Sequence, residues 1–76
     1  MADLLAPMSG NIWKILVKEG DRVAAEDELI IMEAMKMEIP VTSPEAGTVK
    51  SLLVKEGDPV EADSILAVVE YGTGQP

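Results

Sequence analysis

Few side chains in this sequence can do chemistry. There is no cysteine and no histidine among its 76 residues, so the commonest general base, the thiolate nucleophile and the usual zinc ligands are missing. Five lysines carry an amine that can form an amide once it has lost its proton, and Lys36 is the one that lies between two methionines. Met35 and Met37 flank it. This inventory predicts a non-catalytic protein without a metal site, one that is a substrate or carrier for other enzymes.

The charge balance restricts the partners. Fourteen Asp and Glu against six Lys and Arg give a net charge of −8, which repels nucleic acid and anionic membranes and favours basic patches on proteins. The sequence has no run of about 18 apolar residues and no basic, apolar signal peptide at its start. We therefore expect a cytoplasmic protein that binds neither nucleic acid nor membrane. The opening methionine and the short tail favour a free-standing chain over an excised domain.

The chain is an internal repeat. Shifted by 37 residues, segment 6–33 aligns with segment 43–70 without a gap, and 12 of 28 positions are identical. The hexapeptide LVKEGD at 16–21 recurs unchanged at 53–58. Solenoids need at least about three units, so two copies indicate a closed pair related by a pseudo-twofold axis. Facing each other, the copies bury the apolar side that each alone would expose.

The local pattern of each repeat favours β-strands. Residues 12–17 are β-rich and end at a turn in which Gly20 can take a positive φ. The expected inward-facing residues are Ile12, Ile15, Val17, Val49, Leu52 and Val54. Their spacing of three and then two departs from the strict alternation of a strand. We therefore predict β-bulges near Trp13-Lys14 and Lys50-Ser51.

A helix is the competing interpretation for residues 24–36, which are rich in Ala, Glu, Leu and Met. The equivalent segment of the second repeat, 61–69, ends in ILAVV, which prefers strand. Because matched repeats share a fold, strand is the better prediction for both.

These observations predict an all-β fold: a flattened antiparallel β-sandwich barrel of about seven or eight short strands, built from two pseudo-twofold-related repeats. Pro40 marks an edge strand or a strand end. The connection between the two repeats, around Lys36, then forms a hairpin at one end of the barrel, and the chain termini meet at the other end. We expect residues 1–71 to form the domain and residues 72–76 a flexible C-terminal tail.

The residues between the two repeats could also have ordinary structural roles. A turn lysine is usually a solvated charge, and methionines are usually core. On a strand, Met35 and Met37 would share one face and Lys36 would take the other, which favours recognition by a partner. Glu33 is either solvated or a contact for such a partner. Trp13 is either a docking anchor or a cover for the barrel end.

A family resemblance enters at these residues. The pentapeptide EAMKM resembles the biotin attachment motif of biotinyl domains, and it consists of Glu33, Ala34, Met35, Lys36 and Met37. The APMSG sequence at 6–10 and the paired GDxV turns are similar to the family as well, so residues 4–70 are covered. The resemblance implies a barrel-sandwich hybrid with biotin attached covalently to Lys36. Family members usually carry glycine where this chain has Glu26 and Asp63, which puts the turn type in question.

The resemblance also implies partners. A biotin protein ligase would attach biotin to Lys36, aided by Glu33, Ala34, Met35 and Met37. The domain would then shuttle carboxylate, as carboxybiotin, between biotin carboxylase and carboxyltransferase sites. A lipoyl carrier of a 2-oxo acid dehydrogenase or glycine cleavage system is the alternative, although lipoyl domains typically have Asp before the lysine and Ala after it. A structural module without a prosthetic group is the third possibility.

Overall fold

A computed structural model describes residues 2–71 of the protein. They form eight β-strands and no helix. In chain order these are β1 (Ala2–Leu5), β2 (Gly10–Ile15), β3 (Arg22–Val23), β4 (Glu28–Ala34), β5 (Met37–Thr42), β6 (Gly47–Leu52), β7 (Pro59–Val60) and β8 (Ile65–Tyr71). The all-β prediction is confirmed, and residues 24–36 contain strands rather than the competing helix. The predicted tail, 72–76, lies outside the described residues.

The strands form two antiparallel sheets of four strands each. We call β5-β4-β2-β7 the hairpin sheet and β1-β8-β6-β3 the terminal sheet. The 37-residue shift converts each strand of one sheet into the strand at the same place in the other, so the pseudo-twofold axis relates the two sheets. The β4–β5 connection lies at one end of the barrel, and β1 and β8 bring the termini together at the other. Pro40 lies in β5, an edge strand, as predicted.

Two kinds of bulge recur in both repeats. Trp13 is the extra residue in β2 and Lys50 the extra residue in β6, which confirms the predicted positions. A second pair of register shifts leaves Leu29 in β4 and Leu66 in β8 without a partner. Because a bulge interrupts the alternation of side chains, Leu29 and the next residue, Ile30, are both fully buried.

Apolar side chains from both sheets fill the space between them. The most buried large ones are Ile12, Leu29, Ile30, Met32, Val49, Leu66 and Val69. The remaining predicted inward residues, Ile15, Val17, Leu52 and Val54, are partly buried and pack against this core. The core therefore lies on the pseudo-twofold axis and is shared by the repeats, since neither could bury its apolar side alone.

The recurring hexapeptide closes two equivalent turns. The backbone N–H of Lys18 donates to the Asp21 carboxylate at 3.0 Å, and that of Lys55 to Asp58 at 2.9 Å. Gly20 lies at φ 94°, as does its repeat equivalent, which is the positive φ that the sequence predicted. The aspartates thus act as turn residues in both copies.

The glutamates of the same hexapeptide bind the other repeat. Glu19 Oε2 accepts a hydrogen bond from Leu52 N at 3.0 Å, and Glu56 Oε2 accepts one from Ile15 N at 3.1 Å. Both amides lie beyond the end of the two-residue edge strand, β7 or β3, that pairs with the start of β2 or β6. Each accepts from a backbone donor that has no opposite residue on the short edge strand of its sheet.

Within residues 2–71, no helix is long and apolar enough to cross a bilayer.

Candidate functional site

A two-residue turn carries Lys36. The last paired residues of β4 and β5 are Ala34 and Met37, so Met35 and Lys36 alone make the connection. Their φ angles are 53° and 64°. Positive φ at both central residues is the signature of a type I′ hairpin turn, which usually contains Asn-Gly. Each side chain here costs about 1–2 kcal/mol in the left-handed region, a strain that the paired strands must offset.

This turn corrects one prediction. Met35 and Met37 do not share a face of one strand, because Met35 lies in the turn and Met37 begins β5. The type I′ turn sends the chain back before a strand can continue through residue 36. The sequence signal for such a turn, Asn-Gly or Asp-Gly, is missing, so the positive φ values were not predictable from residue types alone.

Exposure changes abruptly at the tip. Ala34 is 6% exposed, whereas Met35 is 82% and Met37 is 62% exposed. Lys36 is exposed as well, and no ion pair involves it within the described part of the chain. The structure thus brings Met35, Lys36 and Met37 together at one solvent-facing tip. A partner can reach the amine without any movement of the barrel.

A glycine beneath the tip sets its position. A Cβ on Gly10 would lie 2.6 Å from the Glu33 carbonyl oxygen and 3.0 Å from the Ala34 Cβ. Only glycine lets β2 approach β4 this closely, one residue before the turn begins. The buried Ala34 is part of the same contact. Gly10 therefore helps fix where the hairpin stands, a role that the sequence analysis did not assign.

Two carboxylates lie beside the tip. Glu33 of β4 and Glu38 of β5 are directly opposite each other and both are exposed. Like charges in this arrangement repel, since cross-strand neighbours have Cβ atoms about 4.5–5.5 Å apart. A cationic group on a partner would relieve that repulsion. The local charge therefore favours a basic surface on whatever protein approaches Lys36.

The tip is chemically suited to covalent attachment of a carboxylic acid. The exposed amine can be acylated, and the short, paired connection fixes the backbone from which the lysine side chain extends. Two exposed methionines supply apolar, adaptable contact surface on either side. Biotin and lipoate both end in a carboxyl group, so this geometry accommodates either of them.

Comparison with known proteins agrees with this geometry. The sequence model of a family described as "Biotin-requiring enzyme", the biotin/lipoyl family, matches residues 2–69. A biotin/lipoyl attachment protein of Bacillus subtilis is 50% identical over 36 residues, which are 47% of this chain and 49% of that protein. The 1.3S subunit of methylmalonyl-CoA carboxyltransferase from Propionibacterium freudenreichii is 53% identical over 36 residues, 47% of this chain and 29% of that one.

Solved structures extend the likeness to the whole barrel. The urea carboxylase of Kluyveromyces lactis superposes with a TM-score of 0.86 and 40% identity, covering 91% of this chain and 6% of that one. A single-chain long-chain acyl-CoA carboxylase superposes with a TM-score of 0.89 and 29% identity, covering 95% and 7%. The sequence matches described above span about half or less of the relatives' lengths.

Proposed function

Because this chain belongs to the biotin/lipoyl attachment family, we propose that it is a biotin carrier whose Lys36 is acylated by a biotin protein ligase. The observation that carries the proposal is the tip itself: an exposed lysine in a two-residue turn between two exposed methionines. Two relatives support biotin as the group, one named a biotin-dependent acyl-coenzyme A carboxylase subunit and one named a biotinylated protein.

Attachment is an acyl transfer in which this chain supplies only the nucleophile. The neutral Lys36 amine attacks the carbonyl carbon of biotinyl-adenylate on the ligase. A C–N bond forms, the bond from that carbon to the phosphate oxygen breaks, and AMP leaves. Protons lost by the amine pass to a base on the ligase or to water, since the described tip offers no histidine or other neutral base. The product is an amide, and the chain loses one positive charge.

The chain's own residues then present the group. Gly10 and Ala34 pack the base of the hairpin against the barrel, which positions the backbone that carries Lys36. When bound, biotin supplies a ring nitrogen that accepts and releases carboxylate at the sites of partner enzymes. We propose biotin carboxylase and carboxyltransferase as those partners. Tethering keeps the group at a high effective concentration near both sites.

Glu33, Ala34, Met35 and Met37 are the residues that we propose the ligase recognises around Lys36. The exposed Met35 and Met37 offer apolar contacts, and Glu33 offers charge to a basic surface. Ala34 is buried, so its part is to let the chain turn close to β2. Lipoate is the second candidate group, because a relative is named for both attachments.

The test is intact mass after incubation with a biotin protein ligase, biotin and ATP. We expect one biotinyl group per chain, and none on Lys36→Arg, which keeps the charge and leaves four other lysines available. Lys50→Arg, on the other sheet, serves as the matched control and is modified normally. A parallel incubation with a lipoate ligase distinguishes the second candidate. Absence of an adduct, or its persistence in Lys36→Arg, contradicts the proposal.

A further inference from the structure

The outer face of the hairpin sheet carries an apolar strip behind the attachment tip. Lys14, Ile31 and Pro40 are direct cross-strand neighbours on β2, β4 and β5, and Trp13 protrudes from the bulge beside Lys14. Trp13 is 43% exposed and Pro40 is also exposed. We call Trp13, Ile31 and Pro40 the strip. The position of Trp13 on this face does not support the alternative that it covers the barrel end.

The repeat provides an internal standard for this face. At the equivalent positions the terminal sheet has Lys50, Val68 and Asp3, so two of the three residues are charged there. The backbone is the same in both copies, including the bulge. The fold therefore does not require an apolar residue at Trp13 or Pro40, and the strip is a property of the sheet that carries Lys36.

The charged residues also differ between the two sheets. On the terminal sheet, Glu70 has the bulge residue Lys50 as its counter-ion, with Nζ 3.8 Å from the carboxylate. On the hairpin sheet the equivalent carboxylate is Glu33, and Trp13 occupies the place of that lysine. Glu33 therefore faces Glu38 without the cation that its counterpart has. Lys14 is held over the Trp13 ring instead, with Nζ 5.4 Å from the ring centroid.

From this asymmetry we infer that the strip, together with Glu33 and Glu38, is a docking surface for the ligase that modifies Lys36. The occupant has an apolar patch for Trp13 and Pro40 and a basic side chain opposite the two carboxylates. The ligase is the partner favoured by geometry, because its catalytic centre must reach the amine directly. The strip begins about five residues back along β4, roughly 15 Å from the tip, which is within the footprint of a protein interface. The inference rests on the proposed function.

The test is the steady-state kinetics of biotinylation with carrier concentration varied. Two of the three strip residues are replaced by their repeat equivalents, in Trp13→Lys or Pro40→Asp, and both positions are exposed enough for the fold to persist. We expect Trp13→Lys to raise KM for the carrier about tenfold, as loss of an aromatic anchor does, with kcat nearly unchanged. Pro40→Asp should raise KM less. Lys50→Trp, which puts a tryptophan at the equivalent place on the terminal sheet, is the matched control and should leave KM unaltered.

Ionic strength gives a second readout. KM of the original chain should rise with salt, and Glu33→Gln with Glu38→Gln should flatten that dependence, since exposed charges are screened. If KM is unchanged in both Trp13→Lys and Pro40→Asp, the proposed docking surface is wrong, although the proposed carrier function is unaffected. An equal rise in Lys50→Trp overturns the docking surface as well, because the effect would then not be specific to the strip. If the original chain is not modified at all, the proposed function fails and the inference fails with it.

Discussion

The hairpin sheet and the terminal sheet have equivalent strand orders, bulges and turn hydrogen bonds, but different outer surfaces. The backbone N–H of Ile12 donates to Asp58 O at 2.8 Å, and that of the equivalent Val49 donates to Asp21 O at 2.9 Å. Two of the three strip residues, Trp13 and Pro40, show no such agreement, because their equivalents are the charged Lys50 and Asp3. The comparison teaches that the duplicated backbone serves stability, whereas surface residues that differ between the copies are candidates for function.

The interior differs at a few places too. Ala6 has Ser43 as its equivalent, and both are almost completely buried. The Ser43 hydroxyl donates to the Glu45 carbonyl oxygen at 2.6 Å, which satisfies a polar group inside the core. Burial raises the pKa of the Tyr71 hydroxyl above 10.0, the charge of Glu45 adds to this, and a hydrogen bond with Ser43 opposes it. These residues lie on or beside the terminal sheet, remote from the attachment hairpin.

The largest effect should come from the two close-approach glycines. A Cβ on Gly47 would lie 2.4 Å from the Glu70 carbonyl oxygen, the counterpart of the contact that Gly10 makes with Glu33. Because backbone must move in both cases, we expect Gly10→Ala and Gly47→Ala each to lower the free energy of unfolding by about 2–3 kcal/mol. Urea denaturation measures this.

The same pair separates stability from presentation. Gly10→Ala displaces the strand that holds Ala34, so we expect it to lower kcat/KM for biotinylation severalfold under conditions where both variants are folded. Gly47→Ala, next to the terminal sheet's own β8, should leave kcat/KM close to that of the original chain. Equal losses of kcat/KM in the two variants would show that Gly10 acts through stability alone.

A smaller effect is expected at the glutamates that bind the opposite repeat. Removing the acceptor in Glu19→Ala or Glu56→Ala leaves the backbone amide of Leu52 or Ile15 without its protein partner. Both sites are exposed, so water replaces part of the bond, and we expect a loss of about 1 kcal/mol in the free energy of unfolding for each variant. Thermal or urea unfolding measures it.

Glu61→Ala is the control for that loss. It removes one negative charge from the same acidic surface and converts the residue to its repeat equivalent, Ala24. We expect a change of less than about 0.5 kcal/mol. If Glu19→Ala and Glu56→Ala cost no more than Glu61→Ala, the inter-repeat hydrogen bonds contribute nothing to stability.

Much of this architecture was predictable because the repeat constrains it. Matched segments must fold alike, so the ILAVV of the second copy decided between strand and helix for the first. The unequal spacing of inward residues located the bulges at Trp13 and Lys50. The exposed lysine at the connection between the two repeats followed from the same symmetry. The predictable features were those that occur in both repeats or that follow from the alternation of side chains along a strand.

The rest depends on contacts between segments distant in sequence. That Glu19 meets Leu52 and Glu56 meets Ile15 is a matter of how the copies face each other, and residue types do not reveal it. The role of Gly10 likewise needs the neighbouring strand in place. The turn conformation at Met35 was missed because its residues are not those that usually adopt positive φ. Long-range geometry, rather than local propensity, decides each of these.

The smallest expected effect concerns the two turns in which the family usually has glycine. Glu26 and Asp63, which are repeat equivalents, both lie at φ 70°. Glycine would remove the left-handed strain of about 1–2 kcal/mol but would add about 0.5–1 kcal/mol of unfolded-state entropy. We therefore expect Glu26→Gly and Asp63→Gly each to raise the free energy of unfolding by roughly 0.5–1 kcal/mol.

The reverse substitution isolates the conformational cause. At Gly20 a Cβ would meet nothing within 4 Å, and φ is 94°. Gly20→Ala should therefore destabilise the fold by about 1 kcal/mol through backbone strain alone. Gly20→Ala adds a side chain at positive φ, whereas Glu26→Gly removes one. If both variants changed the free energy of unfolding in the same direction, backbone strain could not be the cause. Changes in the free energy of unfolding that are opposite in sign and similar in size, in both repeats, would confirm that these turns are equivalent. They would also confirm that the chain tolerates positive φ at residues with side chains there, as it does at Lys36.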